Sequence, residues 1–205
     1  MARASGVLRV IVETELSLGE PDVDEGLVTW FDVRVTAGQG ADSAVIGNAR
    51  VARIHVGEAS NLGEPLYHVL VADSGELEAL YDLFFEEDWF RDQFSTGAAS
   101  DLLFVSQLDL KPGWEGRNID LALVRRLCDT VGEGCELAVM PYESESEIAH
   151  WQRLGFILTT PERQVGYLHL SLGTKTPRIM PSTVTLAATE SRTRKKTQTP
   201  TEKSD

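Results

Sequence analysis

The part of this sequence best suited to chemistry is a glycine-containing turn at residues 111–118, which reads KPGWEGRN. An apolar run, LLFVSQLDL, precedes the turn at residues 102–110, and a stretch with helical periodicity follows it at residues 119–131. A strand that passes through glycines into a helix leaves free backbone N–H groups at the positive end of the helix dipole. The turn is therefore predicted to bind an anion such as a phosphate group.

Two residues where the turn meets the following helix also favour a purely structural interpretation. Asn118 suits the N-cap of the following helix, and Asp120 suits its first turn, where a carboxylate interacts favourably with the helix dipole. In that interpretation Asp120 supplies the negative charge that a bound anion would otherwise bring. A carboxylate about 5 Å from a phosphate charge would cost on the order of 3 kcal/mol at an effective dielectric near 20. The sequence is compatible with both interpretations.

The order of elements from residue 102 to residue 156 is strand, turn, helix, strand, helix, and it closes on HWQRLGF at residues 150–156. Together with GCELAVMPYE at residues 134–143 and GYLHLSL at residues 166–172, this order resembles a divergent subgroup of the GNAT superfamily of acyl-CoA-dependent N-acetyltransferases. In that superfamily the turn holds the pyrophosphate of coenzyme A. The resemblance implies a mixed, mostly antiparallel sheet flanked by helices on both faces.

The turn keeps part of the superfamily pattern and departs from the rest. Gly116 and Ile119 match it, whereas Glu115, Asn118 and Asp120 replace its first basic residue and its two later glycines. The resemblance implies acetyl-CoA or another acyl-CoA as co-substrate. The residues that it places against this co-substrate are Leu108, Leu110, Gly116, Arg117, Asn118, Ile119, Asp120 and Leu121.

Acyl transfer to an amine needs a base for the ammonium proton and an acid for the leaving thiolate. The resemblance implies an acid just before the Leu-Gly-Phe element, but Trp151 occupies that position and has no acidic proton. Tyr142, at the end of a strand, is the predicted substitute acid. Asp109, on the central strand, is the predicted base, with Gln107, Glu143 and Glu145 as alternatives.

Other residues with chemical potential are predicted to have structural roles. His150 precedes Trp151 and is expected to point to a different side of its helix, and Trp114 lies where its ring could cap or plug the cofactor cleft. The four histidines lack metal-ligand spacing. Cys128 and Cys135 are interpreted as small buried residues rather than a redox pair.

The charge of the chain is uneven. Its 19 Lys+Arg and 32 Asp+Glu give a net charge of −13. Seven Lys+Arg and three Asp+Glu fall in residues 173–205, so residues 1–172 carry 12 against 29, a net −17. Such an acidic body disfavours nucleic acid as a partner, and it suits a small-molecule or protein amine as substrate. The simpler explanation of the acidity is solubility.

The remaining patterns predict the elements around this centre. Strands are predicted at residues 7–16, 28–37, 44–56, 67–73, 157–160 and 166–172, and a helix is predicted from Ser74 through Phe84. Residues 86–94 are predicted to extend that helix or to form a second short one. Residues 173–205, rich in Thr, Ser, Pro and Lys, are predicted to be a disordered basic tail.

The sequence thus predicts one GNAT-like domain at residues 1–172 and leaves two functions open. The first is an N-acyltransferase with a divergent turn that acts on an amine. The second is a domain without catalysis that serves as a binding or protein-interaction module. No apolar run reaches bilayer length and no signal peptide is recognisable, so a cytoplasmic protein without a membrane partner is expected.

Overall fold

The computed structural model describes residues 7–15, 26–39, 43–159 and 166–173. The strands in these ranges are β1 (Leu8–Glu13), β2 (Val28–Ala37), β3 (Ala44–Ile54), β4 (Phe85–Glu86), β5 (Trp89–Phe90), β6 (Asp101–Leu110), β7 (Cys135–Pro141), β8 (Ile157–Thr159) and β9 (Tyr167–Ser171). The helices are α1 (Val56–Leu62), α2 (Leu66–Asp73), α3 (Gly75–Phe84), α4 (Ile119–Cys128) and α5 (Glu145–Gln152).

Seven of the strands form one sheet in the order β1-β2-β3-β6-β7-β9-β8, and β4 and β5 form a separate hairpin. Only the pair β6–β7 is parallel within this sheet, and its other neighbours are antiparallel. Helix α4 connects the two parallel strands, as the crossover of a parallel pair requires. The predicted fold class, a mixed and mostly antiparallel sheet flanked by helices, is confirmed.

Two hydrophobic cores cover the two faces of the sheet. Side chains of β6 alternate between them, with Leu103 and Val105 in the first core and Leu102 and Phe104 in the second. Helices α4 and α5 pack on the first face, and helices α1, α2 and α3 pack on the second. This burial on both faces explains why residues 102–105 form a continuous apolar run rather than an alternating pattern.

The central strands separate halfway along the sheet. Strand β6 pairs with β7 only from Asp101 to Phe104, and β7 continues against β9 as far as Pro141. On its other side β6 carries a register shift against β3, which leaves Ser106 as an extra residue. Because such a bulge bends its strand and increases its twist, β6 moves away from β7 beyond this point.

The predicted strand at residues 67–73 is wrong, because α2 occupies this segment. Pro65 has φ −64° at the N-cap, and Leu66, Val69 and Leu70 are buried at helical spacing. Packing of these side chains on the second core overrides the β-propensity of the valines. The predicted strand at residues 44–56 also ends earlier than expected, because α1 begins at Val56.

The predicted helical continuation at residues 86–94 is also wrong. Strands β4 and β5 form a hairpin whose two loop residues, Glu87 and Asp88, have φ values of 50° and 61°. A two-residue loop of this kind matches the twist of a hairpin and cannot continue a helix. The other strands and helices agree with the predicted elements to within a few residues, apart from α4, which ends at Cys128. The predicted tail at residues 173–205 lies, beyond Gly173, outside the described residues.

Candidate active site

The separation of β6 from β7 opens a cleft of about 950 Å³. Residues Val105 to Leu110 of β6 form one wall of the cleft. Met140 and Pro141 of β7 line the side opposite to it. The turn before α4, the start of α4, the segment after β7, α5 and α3 complete the lining. Their contributions are Glu115, Gly116, Asp120, Glu143, Ser146, Glu147, His150, Trp151 and Glu76.

The cleft is strongly acidic. Six carboxylate side chains from six different parts of the chain line it, whereas no Lys or Arg is found among the described residues that do so. A concave site lined by one sign of charge raises the local concentration of ions of the opposite sign. The cleft is therefore suited to organic cations and opposes polyanions. The six carboxylates are those of Glu76, Asp109, Glu115, Asp120, Glu143 and Glu147.

The turn before α4 has the backbone shape expected of an anion-binding turn. Gly116 has φ 68° and Asn118 has φ 59°, both in the left-handed region, and asparagine tolerates that region better than most residues. Asn118 holds the N-cap position without capping the helix through its side chain. Its Oδ1 instead accepts a hydrogen bond of 2.7 Å from Nη1 of Arg153, which follows α5.

The anion position at the start of α4 is filled from within the chain. Asp120 Oδ1 accepts a hydrogen bond of 2.9 Å from the backbone N–H of Leu121, and Asp120 Oδ2 lies 2.7 Å from Nε2 of His150. The carboxylate thus accepts a hydrogen bond from one of the backbone N–H groups that have no partner within the helix. This geometry agrees with the structural interpretation of Asp120, in which its side chain replaces an external anion.

Arg117, the basic residue of the turn beside Gly116, points away from the cleft. The guanidinium of Arg117 lies 4.9 Å from the centre of the Trp114 ring, and that ring packs against the first core. Neither residue lines the cleft. Trp114 therefore anchors the turn and does not plug the cleft as the sequence suggested.

Acyl-CoA fits one end of this cleft and does not fit the other. Beyond Phe104 the edge of β6 that faces β7 has no strand partner among the described residues, so its backbone groups can pair with an amide-rich arm. Leu108, Leu110 and Gly116 line this part. The diphosphate end would meet Asp120 and Glu115, and the side chains of Ile119 and Leu121 are buried in the first core.

The structure brings one of the two predicted catalytic residues to the cleft. Asp109 lines it and accepts a hydrogen bond of 2.6 Å from Nε2 of Gln107. Tyr142 does not line it: its N–H donates to the carbonyl of Gly166 at 3.2 Å, and its ring packs on Gly166 and the first core. Glu143 lines the cleft, whereas Glu145 does not.

Several groups in the cleft escaped the sequence analysis, and His150 and Ser106 are two of them. Contrary to expectation, His150 lines the cleft together with Trp151, and it contacts Asp120. Ser106, the bulge residue of β6, donates a hydrogen bond of 2.6 Å to Glu76 of α3. The histidine could have been found from its place next to Trp151, but no local signal marks the bulge, because it depends on the register with β3.

The thiols are structural. Burial raises the pKa of Cys128 and of Cys135 to about 12, so both remain protonated at neutral pH. Both are free and belong to the first core, which confirms them as small buried residues. Within the described residues, no group of three metal-ligating side chains comes together, and none of the helices is long and apolar enough to cross a membrane.

Solved structures of three acyl-transferring enzymes align with this chain. Drosophila melanogaster polyamine N-acetyltransferase, which forms N-acetylagmatine, is 15% identical over 67% of this chain and 74% of its own, with a TM-score of 0.44. The apo form of an agmatine N-acetyltransferase mutant is 13% identical over 80% and 100%, with a TM-score of 0.44. FeeM, an N-acyl amino acid synthase from uncultured soil microbes, is 10% identical over 82% and 93%, with a TM-score of 0.42.

The identities and TM-scores of these three likenesses are low, and they carry no conclusion about family, activity or substrate. No protein-family model matches the chain, and no curated protein matches its sequence.

Proposed function

We propose that the protein is a GNAT-like N-acyltransferase whose cleft binds a small amine with more than one positive charge. The observation that carries this proposal is the acidic lining, in which six carboxylates face a cavity of about 950 Å³ without a lining Lys or Arg among the described residues. A cavity of this size suits a small molecule better than a protein side chain. Acyl-CoA is the proposed acyl donor, on the strength of the β6 edge.

The chemistry proposed for the cleft is proton transfer around an amine. An ammonium group must lose a proton before its nitrogen can attack an acyl carbonyl. Asp109 accepts that proton in the proposed mechanism, and the other carboxylates hold the remaining positive charges of the amine. His150, whose Nε2 lies 2.7 Å from Asp120 Oδ2, is the proposed proton donor for the leaving group, because Tyr142 does not line the cleft.

The diphosphate of CoA does not fit this turn, because the carboxylate of Asp120 lies at the start of α4. The thioester would supply the acyl group when it is bound. Since Asp120 and Glu115 oppose its phosphates, binding of acyl-CoA is expected to be weak at low salt and to improve when these charges are screened.

The first test is binding of amines that differ only in charge. Calorimetric titration of the full chain with butylamine, 1,4-diaminobutane and spermidine should give an affinity that rises with each positive charge. Raising the salt concentration should weaken the binding of spermidine most, because its attraction is the most strongly screened. Equal affinity for butylamine and spermidine, or no binding of either, would contradict the acidic cleft as an amine site.

Two single-residue variants test whether spermidine binds in this cleft. Glu143→Gln removes one lining carboxylate and should weaken spermidine binding roughly three- to tenfold. Glu58→Gln is the matched control, because Glu58 is exposed on α1 and does not line the cleft. Release of free thiol from acetyl-CoA in the presence of the amine then tests transfer itself.

A second candidate function is an amine-binding module without acyl transfer. The contacts of Asp120 favour it, because they occupy the start of α4 where the superfamily turn would hold phosphate. The two functions differ in one result: the module binds spermidine, but it releases no thiol from acetyl-CoA with any amine. His150→Ala separates them further, since it should reduce turnover only if transfer occurs.

A further inference from the structure

Strand β1 forms one edge of the sheet, and no strand within the described ranges pairs with its outer side. Its apolar side chains are unusually open: Leu8, Val10, Ile11 and Val12 are exposed by 38–45%. An exposed apolar edge strand without a covering element is a template for pairing with another strand. Natural sheets usually protect such an edge with charges, proline or a bulge, and β1 has only Arg9 and Glu13.

The backbone of β1 offers regularly spaced groups on its outer side. The N–H of Gly38, the residue directly after β2, donates to the carbonyl of Val7 at 3.2 Å. Backbone groups of an antiparallel strand alternate in direction, so residues 9, 11 and 13 face β2 as Val7 does. Leu8, Val10 and Val12 therefore direct their N–H and C=O groups outward.

We propose that two copies of this chain pair along β1, antiparallel and about a two-fold axis at Ile11. This register places Val10 of one copy opposite Val12 of the other, so their outward N–H and C=O groups bond to each other. It also places Arg9 of one copy opposite Glu13 of the other. These two form a pair without backbone hydrogen bonds, in which side chains lie closest.

The pattern of β1 selects this register over its neighbours. A shift of two residues in one direction places Glu13 opposite Ile11, and a shift in the other direction places Arg9 opposite Ile11. Only the register about Ile11 gives both charges an opposite charge. Glu13 also contacts Arg34 on β2 of its own copy, so in the proposed dimer it lies between two guanidinium groups.

The apolar side chains agree with the same register. Val10 and Val12 lie opposite Val35 and Val33 of β2, which are buried in the first core. Pairing of Val10 with Val12 on that face extends the first core across the two-fold axis, and it reduces the exposure of both side chains. The axis lies at the sheet edge away from β6 and β7, so this inference is independent of the proposed function.

Sedimentation velocity of the full chain from about 1 to 100 µM tests the pairing, since this range covers ordinary dimer affinities. A concentration-dependent dimer is expected. Arg9→Glu alone or Glu13→Arg alone puts like charges opposite each other at two symmetric places, and it should weaken dimerisation by about tenfold or more. The double variant restores opposite charges, and its dissociation constant should return to within about threefold of the original.

Val10→Pro provides a second variant that does not depend on charge. It removes an outward N–H while leaving the bonds of β1 to β2, so it should abolish the dimer with an unchanged circular dichroism spectrum. A monomer at every concentration would overturn the proposal and leave the edge to another part of this chain or to a different protein. A dimer that tolerates both Val10→Pro and Arg9→Glu would overturn it as well.

Discussion

Asp120 holds the start of α4 and contributes to the acidic wall of the cleft at the same time. Its carboxylate accepts a hydrogen bond from the N–H of Leu121 and contacts His150 of α5. It therefore joins two helices that flank the cleft. The same charge opposes a phosphate and attracts an ammonium group. The charge of this one residue therefore makes the start of α4 less favourable for a phosphate and more favourable for an ammonium group.

Asp120→Asn should tighten acetyl-CoA binding about tenfold, or ~1.4 kcal/mol, because it removes a charge near the phosphates and keeps the shape of the side chain. The same change should weaken spermidine binding. Calorimetric titration with each ligand at low salt measures both effects. Asp129→Asn, also on the α4 segment but outside the cleft, is the control. Equal acetyl-CoA affinities for the two variants would refute the repulsion.

At the scale of the elements, the site depends on how β6 lies against β3. Gly47 of β3 is opposite Leu110, the last residue of β6. A Cβ at this glycine would come 2.5 Å from Leu110 Cδ2 and 2.7 Å from the backbone oxygen of Asp109. The glycine thus permits the close strand contact that holds the cleft end of β6.

Gly47→Ala should lower the free energy of unfolding by about 1–3 kcal/mol, because β6 must shift to admit the methyl group. It should also weaken spermidine binding, since Asp109 moves with the strand. Gly75→Ala is the matched control: Gly75 begins α3, nothing lies within 4 Å of its added Cβ, and the change should be neutral or stabilising. Urea unfolding of both variants measures the difference, and similar stabilities would show that β3 and β6 are not closely packed here.

A polar cluster secures the opposite end of β6. Arg53 donates two hydrogen bonds to Asp101 Oδ2, at 3.0 and 2.8 Å, and His55 Nδ1 lies 3.4 Å from the same oxygen. His55 Nε2 in turn lies 3.0 Å from the hydroxyl of Thr29. Burial opposes ionisation of Asp101, but the hydrogen bonds from His55 and Arg53 outweigh it and hold the pKa of Asp101 below its ordinary value of 3.8.

A lowered pKa in the folded state gives a definite pH dependence. The ionised Asp101 stabilises the fold at pH values above 3.8, and this contribution is lost as the pH falls through the lower folded pKa. Asp101→Asn should therefore cost about 1–3 kcal/mol at pH 7, and the difference from the original protein should shrink in strong acid. Urea unfolding at several pH values measures it. The exposed Asp92→Asn is the control, and a pH-independent difference would contradict the role of the charge.

At the scale of the whole molecule, the charge of the last 33 residues is opposite in sign to that of the rest of the chain. Residues 173–205 carry a net +4, from seven Lys+Arg and three Asp+Glu, against the acidic remainder of the chain. Gly173, the last described residue, lies close to Thr96 and Glu136.

Removal of residues 174–205 should change the melting temperature by less than about 2 °C, because their composition offers little apolar surface to bury. Thermal unfolding of the full and shortened chains at equal concentration measures this. A loss of more than about 5 °C would mean that the basic segment packs on the acidic body.

Local signals in the sequence predicted the central part of the fold correctly. The apolar run of β6, the glycine turn and the helical period of α4 are neighbours in the chain, and each follows from its own residues. Of the residues predicted for the site through the resemblance and as a candidate base, Asp109, Gly116 and Asp120 are among those that line the cleft. The assignment of α2 failed, because burial of its helical face, rather than the β-propensity of its valines, decides its structure.

The sequence by itself determined the acidity of the chain and the order of its central elements, since both are properties of composition and of short segments. Only the tertiary structure decided that carboxylates as distant as Glu76 and Glu147 face one cleft, and that His150 joins them. That convergence requires β6 to bend away from β7 at the Ser106 bulge. The bulge exists only through the register of β6 against β3, a contact between segments about fifty residues apart, and no local pattern encodes it.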